Sequence, residues 1–445
     1  MNTLMKNLLL FALAGLIGSS GVGEPTPEAP AVEHDFDWNL SLQELAKNNP
    51  ELNSNRRALA AAERQILAAR SGFFPQLAAK LDWVKGDTVT LPTTGALATD
   101  PGLTGYATTA ALSLSQNIFA GFADKAKVES AEANRQIAWV NLQAAKARVL
   151  LELKTAYANF LFAILMLELS ETIVQRRTEN LNMVALSYEG GRENRGSLLL
   201  SKINVDQAKF ERMQAENTRI LAEDQFNKVI GRMISTPVRL VGEIPSEAPS
   251  AKPPPFEQLL GKTTEVLLIE AQEEAAHVAL KQSRSGFFPS LDLSASVFSP
   301  GADWQGQTNH WSADFSLTWP LFSGGKDYYG NQAAAESLRA AQLNHQMTNF
   351  QILVRLRQTW QAWVEAVELN KVQQGFVTAA QIRADIGRQK YHNSLLTFDQ
   401  WYDIENDRIN RQKDKLNGLK NKWLTEAAWK QALGLSDPVL DEALK

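Results

Sequence analysis

The sequence predicts a mainly helical chain that carries membrane-type β-strands and is built as two related halves. Three observations lead there. The hexapeptide RSGFFP occurs twice, at Arg70–Pro75 and Arg284–Pro289, each time between a helix-like and a strand-like run. Two long segments, Ala123–Glu189 and Asn331–Gln374, contain neither glycine nor proline. Four short segments alternate apolar and polar residues with period two. A chance recurrence of so specific a hexapeptide is improbable, so the first observation reads as an internal duplication.

The chain begins MNTLMKNLLLFALAGLIGSSGVG, with one lysine, an apolar run from Leu8 to Ile17, then small residues. That layout predicts a secretory leader over 1–23; the run is short of the ~20 residues of a spanning helix, the competing reading. A Pro-rich acidic tail (24–37) follows. The sequence has no cysteine, which excludes an acyl-cysteine anchor, disulfides and thiolate metal sites. A net charge of −4 with dispersed basic residues argues against nucleic acid as partner. Beyond the leader no apolar run reaches ~18 residues, so the chain is expected to cross a membrane, if at all, by strands.

The two halves share one order of elements: helix, strand, strand, very long helix, break, helix. NPELNSNRRALAAAERQILAARSGFFPQL lies over TTEVLLIEAQEEAAHVALKQSRSGFFPSL, and LSLSQNIFAGF (112–122) over FSLTWPLFSGG (315–325). The first repeat is placed at 38–235, with strands about 74–86 and 105–118, a long helix about 122–188 and a return helix about 197–230. A Pro-rich linker takes 236–255. The second repeat is placed at 256–435, with strands about 288–299 and 309–320 and helices about 326–390 and 397–432; a tail (436–445) ends the chain.

In the strands Leu77, Ala79, Leu81 and Trp83 alternate with Lys80 and Asp82, and Trp311, Ala313, Phe315, Leu317 and Trp319 with Ser312, Asp314, Ser316 and Thr318. The pattern suits a barrel wall in lipid; alone, it equally suits a half-buried soluble strand. In the long helices small residues recur every seven positions (Ala131, Ala138, Ala145, beside Leu142, Val149, Ala156, Ala163), a seam for close helix pairing. At 1.5 Å per residue the first helix spans roughly 95 Å. Combined, the signals point to oligomerisation: four strands cannot close a barrel, eight leave no lumen, and three copies give about twelve.

Pro75 and Pro289 are expected to stop a helix and start a strand. Gly121, Gly324 and Gly325 permit the turn from strand back into helix. Phe73, Phe74, Phe287 and Phe288 sit beside these transitions, either as interfacial anchors or as simple helix–strand packing.

These residues, together with YEGGRENRGSLL at the first break, resemble the TolC-type outer-membrane efflux proteins over nearly the whole mature chain. The resemblance implies a homotrimer with a twelve-stranded β-barrel, four strands per chain, in the outer membrane of a Gram-negative bacterium. A periplasmic α-helical barrel continues it. It implies a passive exit duct without cofactor or chemistry, docked through a periplasmic membrane-fusion adaptor to an inner-membrane transporter of RND, ABC or MFS type. The expected cargo is small molecules, with type I protein secretion as the alternative. A soluble periplasmic coiled-coil scaffold is the third reading, but it leaves the alternating strands unexplained.

The resemblance also places the entrance and adaptor contact at the two helix breaks. The first carries Tyr188, Gly190, Gly191, Arg192, Glu193, Arg195 and Gly196; the second carries Tyr391, Asn393, Asp399, Asp403 and Glu405. The glycines, and Asn393 at a position where the family often has glycine, are expected to take left-handed turns. Arg192 or Arg195 is expected to pair with a carboxylate of the second tip; the alternative is solvated charges worth ~0–1 kcal/mol each. The five histidines (His34, His277, His310, His345, His392) are scattered, and no phosphate-binding glycine loop is present, so an enzyme is not expected.

Overall fold

A computed structural model describes residues 34–86, 105–234, 236–242, 244–301 and 310–443. The expected leader (1–23) and most of the expected tail lie outside the described residues, as do the two segments at the strand tips, 87–104 and 302–309. The chain runs β1 (His34–Phe36), α1 (Trp38–Asn48), α2 (Pro50–Arg70), β2 (Gln76–Gly86), β3 (Gly105–Ala120), α3 (Ala123–Glu189) and α4 (Arg195–Ile230). Then come β4 (Val238–Leu240), α5 (Phe256–Leu260), α6 (Thr264–Ser283), β5 (Ser290–Gly301), β6 (His310–Thr318), α7 (Lys326–His392), α8 (Phe398–Ala432) and α9 (Pro438–Ala443).

The two rods, α3 and α7, have 67 residues each. On α3 a heptad row of Ala126, Ala133, Val140 and Ala147 is buried, as is the row Leu142, Val149, Ala156, Ala163. Of the other expected seam only Ala145 is fully buried; Ala131 and Ala138 are half-covered. Small side chains at a 3.5-residue average keep one face turned to its partners and let backbones approach. The main partners are α2, α4, α6 and α8 for α3, and α5, α6 and α8 for α7. By length and composition α3 could cross a bilayer, which the sequence reading did not anticipate. Its apolar centre instead carries the equatorial core: Leu153, Tyr157 and Phe160 are buried against Phe36, Leu42, Leu45, Leu52 and Phe226. Phe226 meets Tyr157 and Phe36 edge-on at 5.9 and 6.0 Å.

Three short elements correct the expected tails and linker. His34–Phe36 pairs in parallel with Val238–Leu240, so the end of the tail and the start of the linker form a two-stranded sheet. The C-terminal segment is helical from Pro438, buries Leu440 in the equatorial core, and offers Asp441 to Lys146 at 2.9 Å. Segments of three to six residues are too short to show a period, and only tertiary packing sets them.

The four longer strands form one antiparallel sheet in the order β2-β3-β5-β6. Its register sorts the residues into transverse rows. Leu77, Leu114, Ala295 and Ala313 lie across one row, and Ala79, Leu112, Val297 and Trp311 across another. Between them run Ala78, Ser113, Ser296 and Ser312, with the Ser296 and Ser312 hydroxyls 2.8 Å apart. The apolar rows stay uncovered: Trp311 is 73% and Phe315 65% exposed. Strand β6 ends at Thr318, before Trp319 and Pro320, because proline has no N–H for a ladder.

At the equator Lys154 of α3 donates to Glu426 of α8 at 2.9 Å, and Lys430 reaches the same carboxylate at 3.1 Å and Glu247 at 2.7 Å. Burial opposes the charge on Glu426, but the hydrogen bonds from Lys154 and Lys430 outweigh it and hold the carboxyl below its ordinary range. Burial pushes Lys154 downward against the pull of the same partner. Lys154→Met leaves a buried carboxylate without its buried cationic partner and should cost up to about 3–5 kcal/mol, whereas Lys154→Met with Glu426→Leu should recover most of it. Thermal unfolding in detergent measures both. A depressed carboxyl pKa gives stability that is full above the unfolded value (~4.3) and lost as pH falls through the folded one. The thermal midpoint should therefore drop on acidification below about pH 4, and less so in Glu426→Gln.

Candidate functional site

Far from the sheet, each long helix ends in the same hydrogen-bonded stop. After α3, the Gly191 N–H donates to the Tyr188 carbonyl at 2.9 Å and the Arg192 N–H to Ser187 at 2.8 Å, with Gly191 at φ +69°. After α7, Ser394 donates to Tyr391 at 2.9 Å and Leu395 to Lys390 at 2.8 Å, with Ser394 at φ +57°. These paired bonds require one left-handed residue, the one after the helix cap. Gly190 and Asn393 are the caps themselves, at φ −78° and −87°, and Gly196 lies inside the first turn of α4. The expectation of left-handed geometry at Gly190, Gly196 and Asn393 is thereby corrected. Asn194 then caps α4 by accepting from Ser197 N at 3.0 Å, and Thr397 caps α8 in a reciprocal box with Gln400.

The two tips meet through Tyr391. Its ring lies flat on Trp401, centroids 4.3 Å apart and planes 3° from parallel, within a buried cluster that includes Val184 and Phe398. Its hydroxyl donates to Glu193 of the first tip at 3.0 Å. Burial, then the adjoining Glu193 carboxylate, push the Tyr391 hydroxyl well above its ordinary pKa, so it remains a donor. Tyr188, at the corresponding place in the first tip, is exposed.

The expected arginine pairing takes a different form. Among the described residues neither Arg192 nor Arg195 forms an ion pair, and Asp399 and Asp403 are exposed without one. Glu405, two residues beyond Asp403 on α8, is buried and accepts two bonds from Arg176 of α3, both at 3.1 Å. Arg408 stands 3.9 Å from the same carboxylate, and Arg176 also approaches Asp385 of α7 at 3.7 Å. Arg388 of α7 donates to Glu179 of α3 at 3.1 Å. Bidentate guanidinium–carboxylate geometry fixes orientation as well as adding energy. The network thus ties α3 to both α7 and α8 just behind the tips.

Sequence reasoning missed Arg176, Glu179, Asp385, Arg388, Arg408 and Trp401. One signal was available: Phe398, Trp401, Glu405 and Arg408 follow the 3-4-3 spacing of a buried seam, so the two charges occupy core positions.

At the other end of the rods, a single 3-10 turn (Ser71–Phe73, Arg284–Phe287) separates each short helix from Pro75 or Pro289. Gly121 and Gly324 are left-handed, as are their successors Phe122 and Gly325. Phe288 packs edge-on against Phe122 at 5.4 Å, and all four phenylalanines, Phe73, Phe74, Phe287 and Phe288, remain exposed. Among the described residues no His, Cys, Asp and Glu cluster is arranged to hold a metal. His345 and His277 instead sit beside Glu273 and Glu274 at 2.7 and 3.9 Å. The assembled features are a sheet with an apolar face, two rods, and a set of polar bonds where the rods end.

Comparison with known proteins agrees with that character. A family model described as outer membrane efflux protein matches residues 41–232 and 256–395. Outer membrane efflux protein BepC of Brucella suis is 21% identical over 351 residues, 78% of this chain and 74% of BepC. The solvent efflux pump outer membrane protein SrpC of Pseudomonas putida is 27% identical over 175 residues, 36% of this chain and 35% of SrpC. A membrane protein of Pseudomonas aeruginosa superposes with a TM-score of 0.78 at 16% identity, covering 94% of this chain and 98% of that one. The CmeC outer membrane channel of Campylobacter jejuni gives 0.76 at 14% identity, covering 96% and 94%. These solved structures share the fold, and the family match spans both halves of the sequence. The chain belongs to the outer membrane efflux protein family.

Proposed function

We propose that three copies of this chain form an exit duct through the outer membrane of a Gram-negative bacterium. The observation that carries the reading is the four-stranded sheet, apolar and uncovered on one face, joined directly to 67-residue helices. Unpaired strand groups in hydrocarbon cost several kcal/mol each, so such a sheet enters lipid only inside a closed cylinder. Three copies supply about twelve strands and a lumen lined by the polar rows. The rods support the same closure. Exposed Leu199, Ile203, Phe210, Met213 and Ile220 on α4 follow coiled-coil spacing, as do Leu343, Met347, Phe350 and Val354 on α7. Paired between copies, these seams would continue the wall as a periplasmic helical barrel. The matching corner conformations at Gly121–Phe122 and Gly324–Gly325 support a duplicated chain, with repeats over 38–235 and 256–435 about a linker.

In this reading the duct is passive and takes its cargo from an inner-membrane transporter through a periplasmic adaptor docked at the tips. Small apolar toxicants are the proposed cargo, supported by the similarity to a solvent efflux pump protein. The Tyr391–Glu193 bond and the Arg176–Glu405 network hold the entrance closed, each repeated in every copy.

Planar-bilayer recording tests the closure. Losing the Tyr391–Glu193 bond removes about 1 kcal/mol per copy, or about 3 kcal/mol for concerted opening, on the order of a hundredfold in open population. Tyr391→Phe and Glu193→Ala should each raise the open probability, and Arg192→Ala should leave it unchanged. A deletion strain should become sensitive to organic solvents and dyes while retaining its secreted proteins. Loss of exoproteins with normal tolerance would assign the duct to secretion instead.

A further inference from the structure

The corner where β3 turns into α3 is filled, and the corner where β6 turns into α7 is empty, although the two share one backbone conformation. At the first corner a Cβ on Gly121 would stand 2.7 Å from the Ser285 carbonyl and 2.9 Å from Phe288, so the second half's helix–strand junction presses directly on this glycine. Phe122 packs on Phe288 there. At the second corner Gly324 has the same left-handed φ and nothing within 4 Å of where a Cβ would stand. Leu321 and Phe322, in the places of Ile118 and Phe119, are 84% and 88% exposed. Contacts within each half are made twice: Gly72 abuts Asp124 as Gly286 abuts Asp327. The contact that Gly121 makes between halves has no counterpart at Gly324 among the described residues.

We infer that a second copy fills the empty corner, and that the filled one dictates the register of the joint. The inference rests on the closed-barrel reading but specifies what that reading leaves open. The two free edges of the sheet are β6 and β2, and their directions allow antiparallel pairing. Strand β3 corresponds to β6 and β5 to β2, as LSLSQNIFAGF over FSLTWPLFSGG and RSGFFP over RSGFFP show. The observed β3–β5 ladder pairs Ser113 with Ser296, Leu114 with Ala295 and Leu112 with Val297. Transposed, it sets Ser316 opposite Asp82 of the next copy, Leu317 opposite Leu81, and Phe315 opposite Trp83. Apolar residues then meet apolar ones on the outer face, and Ser316, Asp82, Thr318 and Lys80 meet on the inner. The bulge between Asn117 and Phe119 falls at Pro320 and Phe322, where a proline is tolerated. Gly324 closes on Ser71 and Phe74 of that copy, the counterparts of Ser285 and Phe288.

A shift by two residues would keep every side chain on its face, so the test must separate registers two apart. The absence of cysteine makes this direct. Directly opposed Cβ atoms stand ~4.5–5.5 Å apart and diagonal ones ~7–8 Å, against the ~3.5–4.5 Å a disulfide needs. Asp82→Cys with Ser316→Cys, oxidised in outer-membrane vesicles, should give covalent trimer at least about tenfold faster than Asp82→Cys with Asp314→Cys or with Thr318→Cys. If either shifted pair links faster, the register is wrong while the closed ring stands. If no pair links and the wild-type protein has a single copy's mass in detergent, the ring itself is wrong. A density map of the wild-type assembly reads the same pairing without substitution: Ser316 opposite Asp82 supports it, and Ser316 opposite Lys80 or Val84 overturns it.

Discussion

Lipid cannot hydrogen-bond a peptide group, and the rest of this architecture follows from that constraint. A chain with four strands has two sheet edges, and in hydrocarbon each edge group would be left without a partner. Closing the cylinder with other copies removes the edges. In the proposed assembly it would also set the wall of the tunnel below, because each strand pair continues into helices through a corner. The uncovered tryptophans and phenylalanines of the outer face and the serine row of the inner face are the two surfaces such a cylinder needs.

Packing is distributed unevenly along the length of the molecule. At the equator, aromatic side chains from α3 and α4 interlock with the N-terminal helices, and a buried Lys154–Glu426 pair locks α8 to α3. At the tips the two hairpins meet by one hydroxyl–carboxylate bond, a stacked ring pair and a short ion network. Deeply packed aromatics cost several kcal/mol to separate, while single polar contacts cost about one. The middle is therefore the more heavily packed region, while the tips are joined by a smaller aromatic cluster and an ion network.

Much of the fold was legible in the sequence, for identifiable reasons. Period-two alternation and the absence of glycine and proline are local signals, and they mark the strands and the rods. Gly121, Gly324 and Gly325 were readable because positive φ favours glycine, but Phe122 and Ser394 adopt it too, and nothing in their identity says so. The tip network was hidden for a different reason. Arg176 and Glu405 are 229 positions apart, and only the docking of α8 on α3 joins them. The short pairing of His34–Phe36 with Val238–Leu240 was hidden likewise, since three residues carry no pattern.

Imaging single particles of the purified protein in detergent tests the central claim most directly. The account predicts a threefold, hollow tube, a short barrel at one end and a long helical sleeve tapering at the other. Solitary chains, or a solid assembly without an axial passage, would contradict it.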